Sequence, residues 1–119
     1  NIMQDTVEKS IYQIVGNPIC IEAEDGKKVS NIILEFLKHD QHVTLSFINV
    51  EILTSAFLNT AIGILYKDYP EDKIKALISV KDIRAADAVL LKRVIDTAKN
   101  YYKNPAMIEK SVQDILENE

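Results

Sequence analysis

Ile52-Leu53-Thr54-Ser55-Ala56-Phe57-Leu58-Asn59, running on into Ala61-Ile62-Gly63-Ile64-Leu65-Tyr66, is the stretch whose reading decides the fold. Two adjacent hydroxyl residues lead into apolar residues at helical spacing, so a helix is predicted to begin near Thr54. Its core arc holds Phe57, Leu58, Ala61, Ile62, Leu65 and Tyr69, and Pro70 ends it, because a residue before proline avoids the helical region. With Thr54 as N-cap, Ser55 stands in the first turn, where unpaired backbone N–H groups and the positive dipole end favour an added phosphate. Ser55, Asn59, Gly63 and Tyr66 fall on one arc away from the apolar one, and with Thr54 they form a low-relief polar strip that a partner could approach. The same residues also fit a plain helix cap and an ordinary solvated face, since Ser and Thr are the usual helix starters.

Outward from this segment the hydrophobic period alternates. Upstream, Val43-Thr44-Leu45-Ser46-Phe47 reads as a strand, with a loop from Ile48 to Leu53. Before it, Val29, Ile32, Ile33, Phe36 and Leu37 make the apolar stripe of a helix running from about Asp25 to His39. Ile11 to Val15 and Ile19 to Ala23 read as two short strands joined by Gly16-Asn17-Pro18, a hairpin. Downstream, Ile74 to Val80 reads as a strand covered on both faces. A long helix follows over about Arg84 to Lys103, with Leu90, Leu91, Val94, Ile95, Ala98, Tyr101 and Tyr102 on its core arc. Asn104 and Pro105 restart a C-terminal helix over 104–119, with Ile108, Val112, Ile115 and Leu116 on its stripe. The predicted order β-β-α-β-α-β-α-α describes an α/β fold, a small mixed sheet covered by helices.

With 119 residues the chain is one domain, long enough to bury about two thirds of its unfolded surface in a single core. A single cysteine, Cys20, excludes an internal disulfide and a cysteine-built zinc cage, and suits a reducing compartment. The apolar runs fall short of the roughly 20 residues of a membrane span. Asn1-Ile2-Met3 does not open a basic region followed by an apolar stretch, so no signal peptide is read. A soluble, cytoplasmic protein is expected, with no membrane association. At net charge -4 its field repels phosphate backbones, and nucleic acid is not expected as a partner.

No set of nucleophile, base and orienting residue is visible, so no enzymatic activity, no catalytic residue and no cofactor are expected. His39 and His42 flank Asp40 but lack a third ligand, and no metal site is read there. Glu22, Glu24 and Asp25 cluster where carboxylates favour a helix N-terminus. Cys20 lies in an apolar run and reads as a buried structural thiol. Lys92, Arg93, Asp96, Lys99 and Lys103 form a wet face of the long helix, and Glu71-Asp72-Lys73 a solvated loop.

The order of elements, with Ile52 to Asn59 and Ala61 to Tyr66, resembles the STAS-like domain family of unknown function, itself similar to the STAS domains of sulfate transporters and anti-sigma-factor antagonists. The resemblance covers about residues 10–103. In the antagonists a strand ends in an Asp-Ser-Ser-Gly-Leu motif at a helix start, and an ATP-binding partner kinase phosphorylates the second Ser. By that likeness Ser55 falls on the phosphoacceptor and Thr54 on the Ser before it, whereas Leu53 replaces the Asp and Ala56 the Gly.

The resemblance implies a non-enzymatic regulatory module. Thr54, Ser55, Asn59, Gly63 and Tyr66 would bind a protein partner, an ATP-binding anti-sigma-like or histidine-kinase-like regulator, and phosphorylation of Ser55 would switch it. The alternative is a sensor of a small nucleotide or lipid-like ligand held at helix N-termini. Met107 and the stripe from Ile108 to Leu116 would pack on the parent domain or form a homodimer, and the sequence leaves both open.

Overall fold

A computed structural model describes residues 5–103. The first described element is a short strand, β1 (Val7–Ser10), that turns directly into a helix, α1 (Ile11–Val15). The expected strand at 11–15 is therefore a helix. Ser10 caps it by accepting a hydrogen bond from Gln13 N, and Gly16, at φ 78°, closes it in the left-handed region that glycine adopts without strain. Gly16 N–H donates to Tyr12 O at 2.7 Å. The β-branched residues of this run favour a strand, but a cap at each end outweighs them.

The expected hairpin is absent too. Ile19–Cys20 is a two-residue strand, β2, and it pairs in parallel with β4 (Ile52–Leu53), which lies in the stretch expected as loop. Between them run α2 (Ala23–Lys38) and β3 (Val43–Ser46). The stripe of α2 lies as predicted, with Val29, Ile33 and Leu37 buried.

After β4, helix α3 (Ser55–Leu58), a π-helical turn at Asn59–Gly63 and α4 (Leu65–Asp68) continue one another as a single rod. Ile64 N–H donates to Asn59 O at 2.9 Å, the i to i+5 bond of a π-turn. Phe57, Leu58, Ala61, Ile62 and Leu65 are buried, as their spacing requires.

The run read as a strand at 74–80 divides. Glu71–Leu77 is a helix, α5, with Glu71 and Asp72 in its first turn, and the strand β5 occupies Ile78–Lys81. Ile74 and Leu77, three apart, are the buried side of α5. The last described element is α6 (Ala85–Lys103), on the predicted stretch. The helix expected over 104–119, and with it the stripe expected to pack on the parent domain or on a second copy, lies outside the described residues.

The main sheet has the order β1-β3-β5 and is parallel throughout, as is the β2–β4 pair, so the mixed sheet expected from a hairpin is replaced by two small parallel ones. The central strand is β3, and β5 is an edge. Val43 and Leu45 of β3 enter the core fully buried. The alternate residues face the other side, where Glu8, Thr44 and Ser79 share one register row. That side is polar. His42 bridges strands there, its Nδ1 to Thr6 Oγ1 and its Nε2 to Ser79 Oγ at 2.9 Å, while Lys81 Nζ donates to Glu8 Oε1 at 2.9 Å. The architecture is α/β, with helices packed on the apolar side of the sheet.

Candidate functional site

Thr54 sits where β4 ends and the helical rod begins, and its side chain is fixed from two directions. Its Oγ1 accepts from Phe57 N at 3.2 Å, the N-cap bond, and donates to Ile21 O at 2.9 Å, tying the cap to the segment after β2. Thr54 N–H also donates to Cys20 O at 3.3 Å. The cap is thus built into the β2–β4 pair, and Ser55 follows as the first helical residue, exposed.

Of the expected polar strip, Thr54, Ser55 and Asn59 stand at the accessible end of the rod. Gly63 does not. It is buried under α6, and a Cβ there would lie 3.6 Å from both Ala98 Cβ and Val94 Cγ1. The strip is therefore interrupted by α6, because the arc drawn on an isolated helix ignores the helix that crosses it. Tyr66 is half-buried beyond this crossing, and burial pushes its hydroxyl pKa up.

Ser55, Ala56 and Asn59 are exposed, and two grooves run along the rod from Asn59 and Thr60 onward. On the α2 side a largely apolar groove of about 500 Å³ runs past Ala23, Leu34, Thr60 and Ile64. On the α6 side a groove of about 230 Å³ is lined by Asn59, Gly63, Thr97 and Tyr101, among others. Exposed apolar side chains lie close by along the chain: Ile21 is 39% and Ile52 49% exposed, each next to a residue of the β2–β4 pair.

The close approach of α2 to the rod depends on a residue that sequence reasoning passed over, Gly26. Thr60 Oγ1 lies within donating distance of Ala23 O at 2.7 Å and of Phe57 O at 3.1 Å, in the space where a side chain on Gly26 would be. A glycine one turn into a helix whose neighbours are all ordinary formers was the available signal. Leu53, which stands in place of an aspartate in the antagonist motif, is half-buried and paired with Cys20. No carboxylate is available at that position beside Ser55.

The remaining candidates hold separate places. His39 Nδ1 bonds Glu35 O at 2.8 Å at the end of α2, whereas His42 belongs to the polar sheet face. Glu24 and Asp25 lie in the first turn of α2, with Asp25 paired to Lys28 at 3.1 Å. Cys20 is fully buried, and burial, with the charge of Asp25 behind it, pushes its thiol up to about 11. Among the described residues no helix is long and apolar enough to cross a membrane.

A protein-family model described as a STAS-like domain of unknown function matches residues 25–88, which run from the first turn of α2 to the first turn of α6 and include the whole rod. No curated protein and no solved structure matches the chain.

Proposed function

Since the chain belongs to the family of STAS-like domains of unknown function, we propose that it is a non-enzymatic regulatory module that docks a protein over the first half of the 55–68 rod. Phosphorylation of Ser55 is the switch. The partner is an ATP-binding regulator of the anti-sigma or histidine-kinase kind, which both reads and phosphorylates this surface, and the module works in the cytoplasm beside it.

The observation that carries this reading is the setting of Ser55: an exposed hydroxyl directly after a doubly bonded N-cap, at the start of a rod along which two grooves run from Asn59 and Thr60 onward. The cap fixes the backbone that a kinase would have to recognise. The grooves and the exposed Ile21 and Ile52 give a partner apolar area to bury. A phosphate on Ser55 adds nearly two negative charges at the start of the rod that carries that area. It would be held by the free N–H groups of the first turn, so phosphorylation stabilises the rod while repelling an acidic or apolar partner surface. With Leu53 in place of the aspartate, the unmodified surface is apolar where the antagonists carry a charge, and the partner should be correspondingly apolar there.

The test uses the full chain as bait in three forms: wild type, Ser55→Ala and Ser55→Asp. Wild type and Ser55→Ala should capture the same ATP-binding regulator, and Ser55→Asp should lose it by at least tenfold while melting no lower than wild type. Equal capture of that regulator by all three forms removes Ser55 from the mechanism. Capture of no such regulator by any form removes the docking role.

A further inference from the structure

Two adjoining grooves open away from Ser55, where the C-terminal half of the rod meets α5, β5 and α6. The first, of about 390 Å³, is walled by Tyr66, Tyr69 and Tyr102 and carries Lys99 and Lys103. The second, of about 270 Å³, is lined by the apolar side chains of Ile62, Ile74, Ile78, Val80, Leu91 and Ile95. Both volumes are near the lower range of small-molecule sites. The two grooves share Tyr66, Glu71 and Lys99.

At this shared boundary Lys99 Nζ donates to Glu71 Oε2 at 2.9 Å, with Asp96 Oδ1 more distant at 3.9 Å. The charged residues lining the pair of grooves are Lys75, Lys99, Lys103 and Glu71, an excess of cations in a chain whose net charge is -4. The cationic field is felt at Glu71 itself. Its hydrogen bond from Lys99, then the charges of Lys99, Lys75 and Lys103, hold its carboxyl below the usual carboxylate range.

Glu71 therefore shows what this boundary accepts: one carboxylate, on an ammonium, with an apolar trough beside it. The Glu71 and Lys99 side chains are 52% and 33% exposed, so exchanging one carboxylate for another requires no opening of the core. We propose that the paired grooves bind a medium-chain carboxylate, its head replacing Glu71 at Lys99 and its tail lying in the trough between α5, β5 and α6. The sequence reading placed a small ligand at helix N-termini; this site lies at the C-terminal end of the rod, beside the first turn of α5. The site shares no residue with the Ser55 ridge and stands or falls independently of it.

The experiment is a titration of the full chain with decanoate, followed by amide chemical shifts and by calorimetry. Saturable binding is expected, with the shifts centred on Tyr66, Ile78 and Leu91. Lys99→Met should weaken binding at least tenfold. Glu71→Gln, which removes the internal competitor, should tighten it severalfold. Val80→Asp, at an exposed position of the trough, should likewise weaken it at least tenfold, and this variant tests the tail site if Lys99→Met does not fold. Acetate, which has the head without the tail, should bind at least tenfold more weakly than decanoate. Absence of saturable binding to wild type overturns the proposal, as does unchanged affinity in Lys99→Met or in Val80→Asp.

Discussion

Thr60 Oγ1 stands 2.0 Å from the position a Cβ on Gly26 would take, and Phe57 O stands 2.3 Å from it. The second of these atoms is backbone and cannot turn aside, so α2 and the π-turn meet where any side chain larger than hydrogen forces them apart. Gly26→Ala should therefore destabilise the protein by about 3 kcal/mol, the upper range for overpacking, despite the better helix propensity of alanine. Gly63→Ala is the contrast. Its new methyl group would make ordinary contacts at 3.6 Å with Val94 and Ala98, and it should leave stability unchanged or raise it by about 0.5 kcal/mol. Urea denaturation of the two variants checks both, and equal losses would contradict the geometry.

Thr54 should be worth more than a helix cap alone, because its hydroxyl also bonds Ile21 O across the β2–β4 pair. Thr54→Ala should cost about 2 kcal/mol, the upper end for a lost cap, and Thr54→Ser should recover most of it. The same denaturation series measures this, and a loss in Thr54→Ser equal to that in Thr54→Ala would assign the effect to the methyl group.

Cys20, with a thiol pushed from 9.0 to about 11, holds about a hundredth of the thiolate of an ordinary cysteine near pH 8. Alkylation of the native protein at that pH should be at least about a hundredfold slower than in urea. Following the rate of thiol modification in both solvents decides the matter. A native rate close to the unfolded one would show that the strand opens locally.

The Glu71–Lys99 bond gives the fold a small pH dependence of definite sign. Because the carboxyl of Glu71 is held below its ordinary value, the folded state binds its proton less readily than the unfolded one. The stabilisation is present above the ordinary carboxylate pKa and is lost as pH falls through the lowered one. Wild type should thus melt slightly above Glu71→Gln at neutral pH, and the difference should close in acid. Both side chains meet solvent, so the gap is also expected to shrink in high salt. A difference that persisted unchanged at acid pH would rule the ion pair out as its source.

What the sequence made legible was whatever a single helix or strand decides for itself. Thr54 as cap, Ser55 as first helical residue and the buried sides of α2 and α6 follow from local spacing, and the family likeness rests on resemblance of the 52–66 stretch to known STAS-like domains. The failures were places where two rules competed or where a distant element intervened. Ile11 to Val15 has strand composition, but Ser10 and Gly16 bracket it as a helix; Pro70 ends the rod as read, but Pro70-Glu71-Asp72 also begins a further helix that the apolar run after it concealed. The true first strand, Val7–Ser10, carries Glu8 on the polar side of the sheet and Lys9, in register with Leu45, on the other side of an edge strand, so no apolar run or alternation marks it. Gly63 was assigned to an open strip because periodicity on one helix contains nothing about α6.

The π-turn at Asn59–Gly63 shifts the phase of the rod. It takes in one residue more than a regular helix would, so from Leu65 onward the side chains stand about 100° from where the spacing before Asn59 would put them. A relative with an unbroken helix here would match this chain only if one residue were skipped near Gly63. Forced into gapless alignment, it would set the wrong residue against Tyr66, and the boundary between the docking ridge and the tyrosine-walled groove would be lost from the comparison.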